Sequence, residues 1–406
     1  ALKSLAKLKL KYYHQNIDRN VEIMPNPMVT SNPQAEHIND GITIQSDWIF
    51  SNTNYFNAGI DYWQRKYEGL RTTNNKVQNI IKVDKPVPNS KFGSLGFFAQ
   101  NEAKLVNQKL SLIIGGRYDL INISNEETKN PVYIINNGVK NTNVLDAAAS
   151  YETGKETNKS FSGNLGILYK LTNEIDLTLN TAYTFRSPSL EERYQFIDLG
   201  GIVYLGNPNL KPEKGVSLDY GIRIWKEKFS VRANTFLNSL TNLVVDDIVT
   251  QDSLYKKNNV GKARLYGFDL SAEYNFINDN LFYLTAAFVR GEDLNKNEYL
   301  SEIPPLNGIF GLRLFLFNEI KLDVSANMFS SQTKVAANES KTGGYTTFDL
   351  SLQSNSINYF GAKFKLVTGI ENIFDRAYRN HLSTYRGLNL LEPGRNIFAK
   401  IIIDFR

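Results

Sequence analysis

Ile320-Lys321-Leu322-Asp323-Val324-Ser325-Ala326-Asn327-Met328 alternates residue by residue. Ile, Leu, Val, Ala and Met fall on one side, and Lys, Asp, Ser and Asn on the other. A period of two belongs to a β-strand, whose side chains point to opposite faces in turn. The same pattern sets Ile175, Leu177, Leu179, Thr181 and Tyr183 against Asp176, Thr178 and Asn180. It sets Tyr266, Phe268, Leu270, Ala272 and Tyr274 against Gly267, Asp269, Ser271 and Glu273, and Phe348, Leu350 and Leu352 against Asp349, Ser351 and Gln353. The chain closes on Ile397, Ala399, Ile401, Ile403 and Phe405 in the same spacing. Many strands, each with one oily and one polar face, meet the demands of a barrel with lipid outside and water inside.

Composition supports one repetitive object. Of 406 residues, 12% are aromatic, with 22 Tyr and 24 Phe but 3 Met. Mean hydropathy is −0.34, too polar for a bundle of membrane helices but suited to strands that are half wet. There is no Cys, which excludes disulfide, thiolate and iron–sulfur chemistry. The net charge of +5 is small for this length and no block of Lys/Arg stands out, so nothing points to nucleic acid.

The connections alternate in kind. Short polar turns are expected at 51–54, 106–109, 172–174, 226–228, 277–280, 317–319 and 355–358. Long polar loops are expected near 18–40, 67–90, 124–158, 187–214, 244–260, 292–305, 333–344 and 374–394. Short turns at one rim and long loops at the other describe an all-β, antiparallel up-and-down transmembrane barrel of about sixteen strands. Residues 1–406 then form a single domain. The short turns and C-terminus face the periplasm and the long loops the exterior. Trp48, Phe50, Tyr55, Trp63, Phe97, Trp225, Phe315 and Phe317 are placed for an interfacial girdle, although a soluble sandwich could also use them as core. No signal peptide is visible; an exported barrel needs one, so the N-terminus is expected to be processed or incomplete.

Two segments go beyond pattern. Tyr183-Thr-Phe-Arg-Ser-Pro188 is followed, after an insert, by Asn207-Pro-Asn-Leu-Lys-Pro-Glu213. Glu371-Asn-Ile-Phe-Asp375 precedes Pro393-Gly-Arg395 and a terminal strand. Together and in this order they resemble the barrel of TonB-dependent outer-membrane receptors. The resemblance implies a barrel of about 22 strands around an N-terminal plug. By that measure the plug, the first strands and the segment that engages TonB are not in this sequence. It also implies energised uptake of a scarce small-molecule metal chelate, most naturally a siderophore or haem-like iron complex. The partners are then outer-membrane lipid and the TonB complex.

The ligand-binding candidates are Arg186, on the polar parity of its strand, Tyr194, Tyr204, Asn207, Asn209, His381 and Tyr385. In haem-importing members the two loop motifs bracket a His that ligates iron; Ser189 to Gly206 here contains Tyr194 and Tyr204 but no His. Tyr can ligate haem iron; on the competing reading Arg186 ends a strand and the Asn-Pro-Asn-Leu turn returns the chain. The three His (14, 37 and 381) stand at no metal-binding spacing, so neither a resident metal nor a cofactor is expected. The acid pairs Glu191-Glu192 and Asp246-Asp247 have no neighbouring His to build a nucleophile on, and no enzymatic role is expected. A passive porin and an adhesion or assembly barrel are the competing readings.

Overall fold

The computed structural model describes residues 4–144, 149–198, 202–250, 254–277, 280–317, 319–337, 339–385 and 388–405. Among these, sixteen strands have ten or more residues. They are β1 (Leu5–Asn20), β2 (Val29–Ser51), β3 (Asn54–Asn75), β4 (Ser90–Leu105), β5 (Leu110–Asn125), β6 (Gly154–Lys170), β7 (Ile175–Arg186) and β8 (Glu213–Trp225). The rest are β9 (Phe229–Thr250), β10 (Leu254–Ile277), β11 (Asn280–Asp293), β12 (Asn307–Leu316), β13 (Ile320–Phe329), β14 (Tyr345–Ser354), β15 (Ala362–Glu371) and β16 (Asn396–Phe405). The described part is nearly all strand, with one short helix, α1 (Leu190–Tyr194). None of its helices is long and apolar enough to cross a membrane. The expected turn residues 278, 279 and 318 lie outside the described residues.

The chain divides into two compact units. The first comprises Ala1–Leu165, Ala182–Val216 and Leu240–Gly261; the second comprises Gly166–Thr181, Ser217–Ser239 and Lys262–Arg406.

In the second unit, β10 through β16 form an antiparallel meander. Its register aligns apolar rows: Phe282 opposes Leu312, Leu312 opposes Val324, and Val324 opposes Leu350. Large members of this face, including Phe310, Phe348, Leu366 and Ile401, stay exposed. A sheet that leaves such rows open is stable only where the surrounding medium is itself apolar. The other face is cross-linked by polar groups. Arg313 donates to Asp323 at 2.9 Å, the Tyr283 hydroxyl donates to Asp323 at 2.6 Å, and Asn327 donates to Asp349 at 2.7 Å. Gly311 is required here: a Cβ on it would sit 2.1 Å from the Tyr283 ring, which lies over it to reach Asp323. Phe310→Arg on the apolar face is expected to destabilise the lipid-embedded protein by about 2–4 kcal/mol. The same change at Ser325, on the polar face, is expected to cost far less. Urea unfolding from lipid vesicles would distinguish the two.

In the first unit, β1 to β5 form a second antiparallel meander. Here the sequence reading is corrected. β2 has 23 residues and β3 has 22, about twice what a tilted spanning strand needs. The expected loops 18–40 and 67–90 are therefore mostly paired ribbon, as are the flanks of 244–260. His14 lies within β1 and bonds Asp40 at 2.8 Å. His37, expected in a loop, pairs with Tyr67 across β2 and β3. Outside a bilayer both strand faces can be polar, so alternation vanishes although the ladder continues. The ribbon widens as 80–84 joins β3 and then the hairpin 133–141. The unit's apolar core sits at this long-loop end: Tyr67, Val87, Ile121, Ile123, Ala149, Tyr151, Leu190, Tyr194 and Phe196.

Candidate functional site

Loop 187–214, in the first unit, is built around α1. Pro188, with no N–H to give, lies two residues past the end of β7. Ser189 caps the helix by accepting from the Glu192 N–H while the Glu192 carboxylate accepts from the Ser189 N–H. Leu190, Tyr194 and Phe196 drive into the core at no more than 5% exposure. Burial of this kind is why so short a helix persists.

Charge fastens the helix on three sides. Arg186 donates to both oxygens of Glu213, at 2.6 Å each, and to Glu192 at 2.8 and 3.0 Å. Four of its guanidinium hydrogens are thereby committed. Glu191 is gripped by Arg65. Arg193 is fully buried; it donates to the Pro208 carbonyl at 2.6 Å and pairs with Glu156 at 2.6 Å. Its Nε has no partner among the described residues. Asn207 accepts from the Asn209 N–H, and Asn259 clamps Lys211 from both sides. The Asn-Pro-Asn-Leu-Lys turn is thus a scaffold on which Asn209 remains exposed.

Burial alone would raise the Glu191 and Glu192 pKa values, but Arg65 and Arg186 respectively outweigh it and hold both below the usual carboxylate range. Burial pushes Tyr151, edge-on to Tyr194, up to about 12. A carboxylate depressed in the folded state contributes stability above its unfolded value and loses it as pH falls through the folded one. Loop 187–214 should therefore be fully fastened at neutral pH and loosen below the ordinary carboxylate range. Hydrogen exchange of the Ser189–Gln195 amides should accelerate there beyond the intrinsic trend.

Tyr204, in the short strand Val203–Leu205, pairs in parallel with residues 254–256. Its ring stacks on Tyr255 at 4.9 Å and 15°, half-buried at the loop surface.

The second unit holds a different cluster. His381 is 3% exposed; its Nδ1 lies 3.1 Å from the Thr342 hydroxyl and its Nε2 3.3 Å from Glu339. Glu339 also accepts from the Glu302 and Ala336 N–H groups, and Gln332 donates to the Ile303 carbonyl at 2.7 Å. Loops 294–306, 330–344 and 372–395 are joined in this way. Beside them Phe329, Tyr345 and Tyr378 form a stack, with centroids 4.7 and 4.3 Å apart. A cavity of about 750 Å³ along this stack is lined by Asp349, Glu371, Glu392 and Arg395 as well as both tyrosines. Among the described residues no group of three or more His, Cys, Asp or Glu is placed to hold a metal ion.

The family model described as TonB dependent receptor-like, beta-barrel, matches residues 4–373. The chain belongs to this family of receptor barrels. Heme/hemopexin utilization protein C of Haemophilus influenzae is 24% identical over 396 residues, covering 90% of this chain and 50% of that protein. TonB-dependent heme receptor A of Haemophilus ducreyi is 23% identical over 355 residues, covering 76% and 45%. Among solved structures, a copper transporter matches with a TM-score of 0.80 at 18% identity, covering 98% of this chain and 63% of that one. The ferric yersiniabactin uptake receptor of Yersinia pestis matches at 0.71 and 14%, covering 98% and 59%. The receptor barrel spans about half the length of the two Haemophilus proteins.

Within the receptor barrel, Arg186, Tyr194, Tyr204, Asn207 and Asn209 gather in the first unit's loop assembly. They differ in availability. Arg186 is engaged by two carboxylates and Tyr194 by the core, while Tyr204 and Asn209 reach the surface. His381 is a buried joint of the second unit, and the Tyr385 side chain lies outside the described residues. The acids Glu191 and Glu192 are absorbed by ion pairs and Asp246 by Lys257; the Asp247 side chain lies outside the described residues. Sequence reasoning missed Tyr255 and the Phe329–Tyr345–Tyr378 stack. The available signal was strand parity, which places Phe329 opposite Tyr345 on the polar side.

Proposed function

We propose that this barrel takes up an iron-bearing complex, haem or a ferric chelate, across the outer membrane, driven through TonB. Residues 1–406 act as one membrane domain, with the long-loop end outward and the short turns and C-terminus toward the periplasm. The family match carries this reading, with proteins named for haem utilisation among the relatives. The loop architecture supports it. Loop 187–214 is pre-organised by ion pairs, one of them to the fully buried Arg193, and an ordered receiving surface pays less to bind than one that must be fixed on contact. The half-buried Tyr204–Tyr255 stack and the exposed Asn209 are the groups there that a ligand can reach. The relatives are named as receptors and utilisation proteins, and transport is the role they support. Cells supplied with haem or a ferric chelate as sole iron source should grow at low ligand concentration when they carry the protein. Growth that rises only linearly with ligand would favour a passive pore.

A further inference from the structure

A second cavity, of about 490 Å³, lies in the second unit between loops 340–345 and 376–379. It is lined by Lys341, Arg376 and Arg379, by the backbone of Gly343 and Gly344, and by Tyr345 and Tyr378. It shares both tyrosines with the larger cavity described above, yet the carboxylates line the larger one and none lines this one. Two of its cations, Lys341 and Arg376, stand outside the neutralising pairs found elsewhere in the chain. Arg65, Arg71, Arg117, Arg186, Arg193, Arg264 and Arg313 each meet a carboxylate. Among the described residues the side chains of Lys341 and Arg376 have no such partner, and both are exposed.

The walls are held independently of any ligand. Asn372, 5% exposed, accepts from the Arg376 N–H at 2.9 Å, donates to the Arg376 carbonyl at 3.0 Å and donates its own N–H to Asp349 at 2.8 Å. That fixes the turn carrying Arg376. Thr342, beside Lys341, is fixed by the reciprocal bridge to Gln332 and by His381. Gly343 has open space where a Cβ would stand, so a ligand can approach the backbone. Uncompensated cations on braced loops, over an aromatic stack, make a pocket for a charged oxygen group on a ring-bearing body.

We propose that this cavity is an oxyanion subsite, in which Lys341 and Arg376 bind the carboxylate or phosphate of a ligand whose body rests on Tyr345 and Tyr378. This rests on the uptake reading and names the ligand class, an anionic chelate. An outer-leaflet lipid phosphate is the other source of the same chemistry. The test is calorimetric binding to the detergent-purified protein of three probes: haem, ferric citrate and phosphatidylglycerol bicelles. Wild type is compared with K341Q/R376Q and with the charge-conserving K341R/R376K. The expected result is a loss of about tenfold or more in affinity for haem or ferric citrate in the first variant, rescue in the second, and competition by inorganic phosphate. A loss confined to the bicelles would keep the oxyanion subsite and assign it to lipid, overturning the chelate. Unchanged affinity for all three probes would overturn the subsite. Uptake that proves independent of TonB would remove the transport reading while leaving these affinities to stand.

Discussion

Arg193→Ala is expected to release loop 187–214, at a cost of about 1.5–3 kcal/mol to the local structure. The guanidinium is fully buried, and it joins the Pro208 carbonyl in the Asn-Pro-Asn-Leu turn to Glu156 on β6. Removal leaves the carbonyl without its donor and a void beneath α1. Glu156 is 40% exposed, so it rehydrates, and the lost hydrogen bond and packing dominate the cost. The loss is local because a loop can open without the meander. Limited proteolysis should cut between 187 and 214 in the variant and spare the wild type.

Phe196→Ala is the second large effect, expected at about 3–5 kcal/mol. The ring has 0% exposure and sits among Tyr151, Tyr194 and the other core side chains. Lys82 and Arg71 lie 5.4 and 5.7 Å from its centroid, so truncation also removes two cation–π contacts. Its own N–H donates to Pro86, which the substitution leaves intact. Residues 193 and 196 hold the same loop. The double variant should therefore cost less than the sum of the two, since once the loop is open the second loss has little left to act on. Hydrogen exchange of the loop amides measures all three values.

The spanning strands were legible because two media impose opposite demands on neighbouring residues. Ile320 to Met328 alternates since lipid meets one face and water the other, and the pairing of β13 with β12 and β14 follows that alternation. The pattern failed where both faces meet water. Residues 29–40 are strand, but nothing in their hydropathy separates His37 from a loop residue. The candidate site was legible in part. The motif residues from Arg186 to Glu213 do assemble, but sequence could not say that Arg186 would be spent on Glu192 and Glu213 or that Tyr194 would face inward. Those outcomes depend on Arg65, Tyr151 and Glu156, which reach α1 only through the fold. The Tyr345–Tyr378 stack and the cations beside it come from loops 30 or so residues apart whose meeting depends on His381 and Asn372, and no local spacing encodes it.

Energised transport is tested by radio-iron uptake as haem or a ferric chelate. It would be measured in cells carrying the protein, with TonB present and with TonB deleted. Saturable uptake is expected, falling to the background of cells lacking the protein when TonB is removed. Uptake of equal rate in both strains, rising in proportion to ligand, would contradict it.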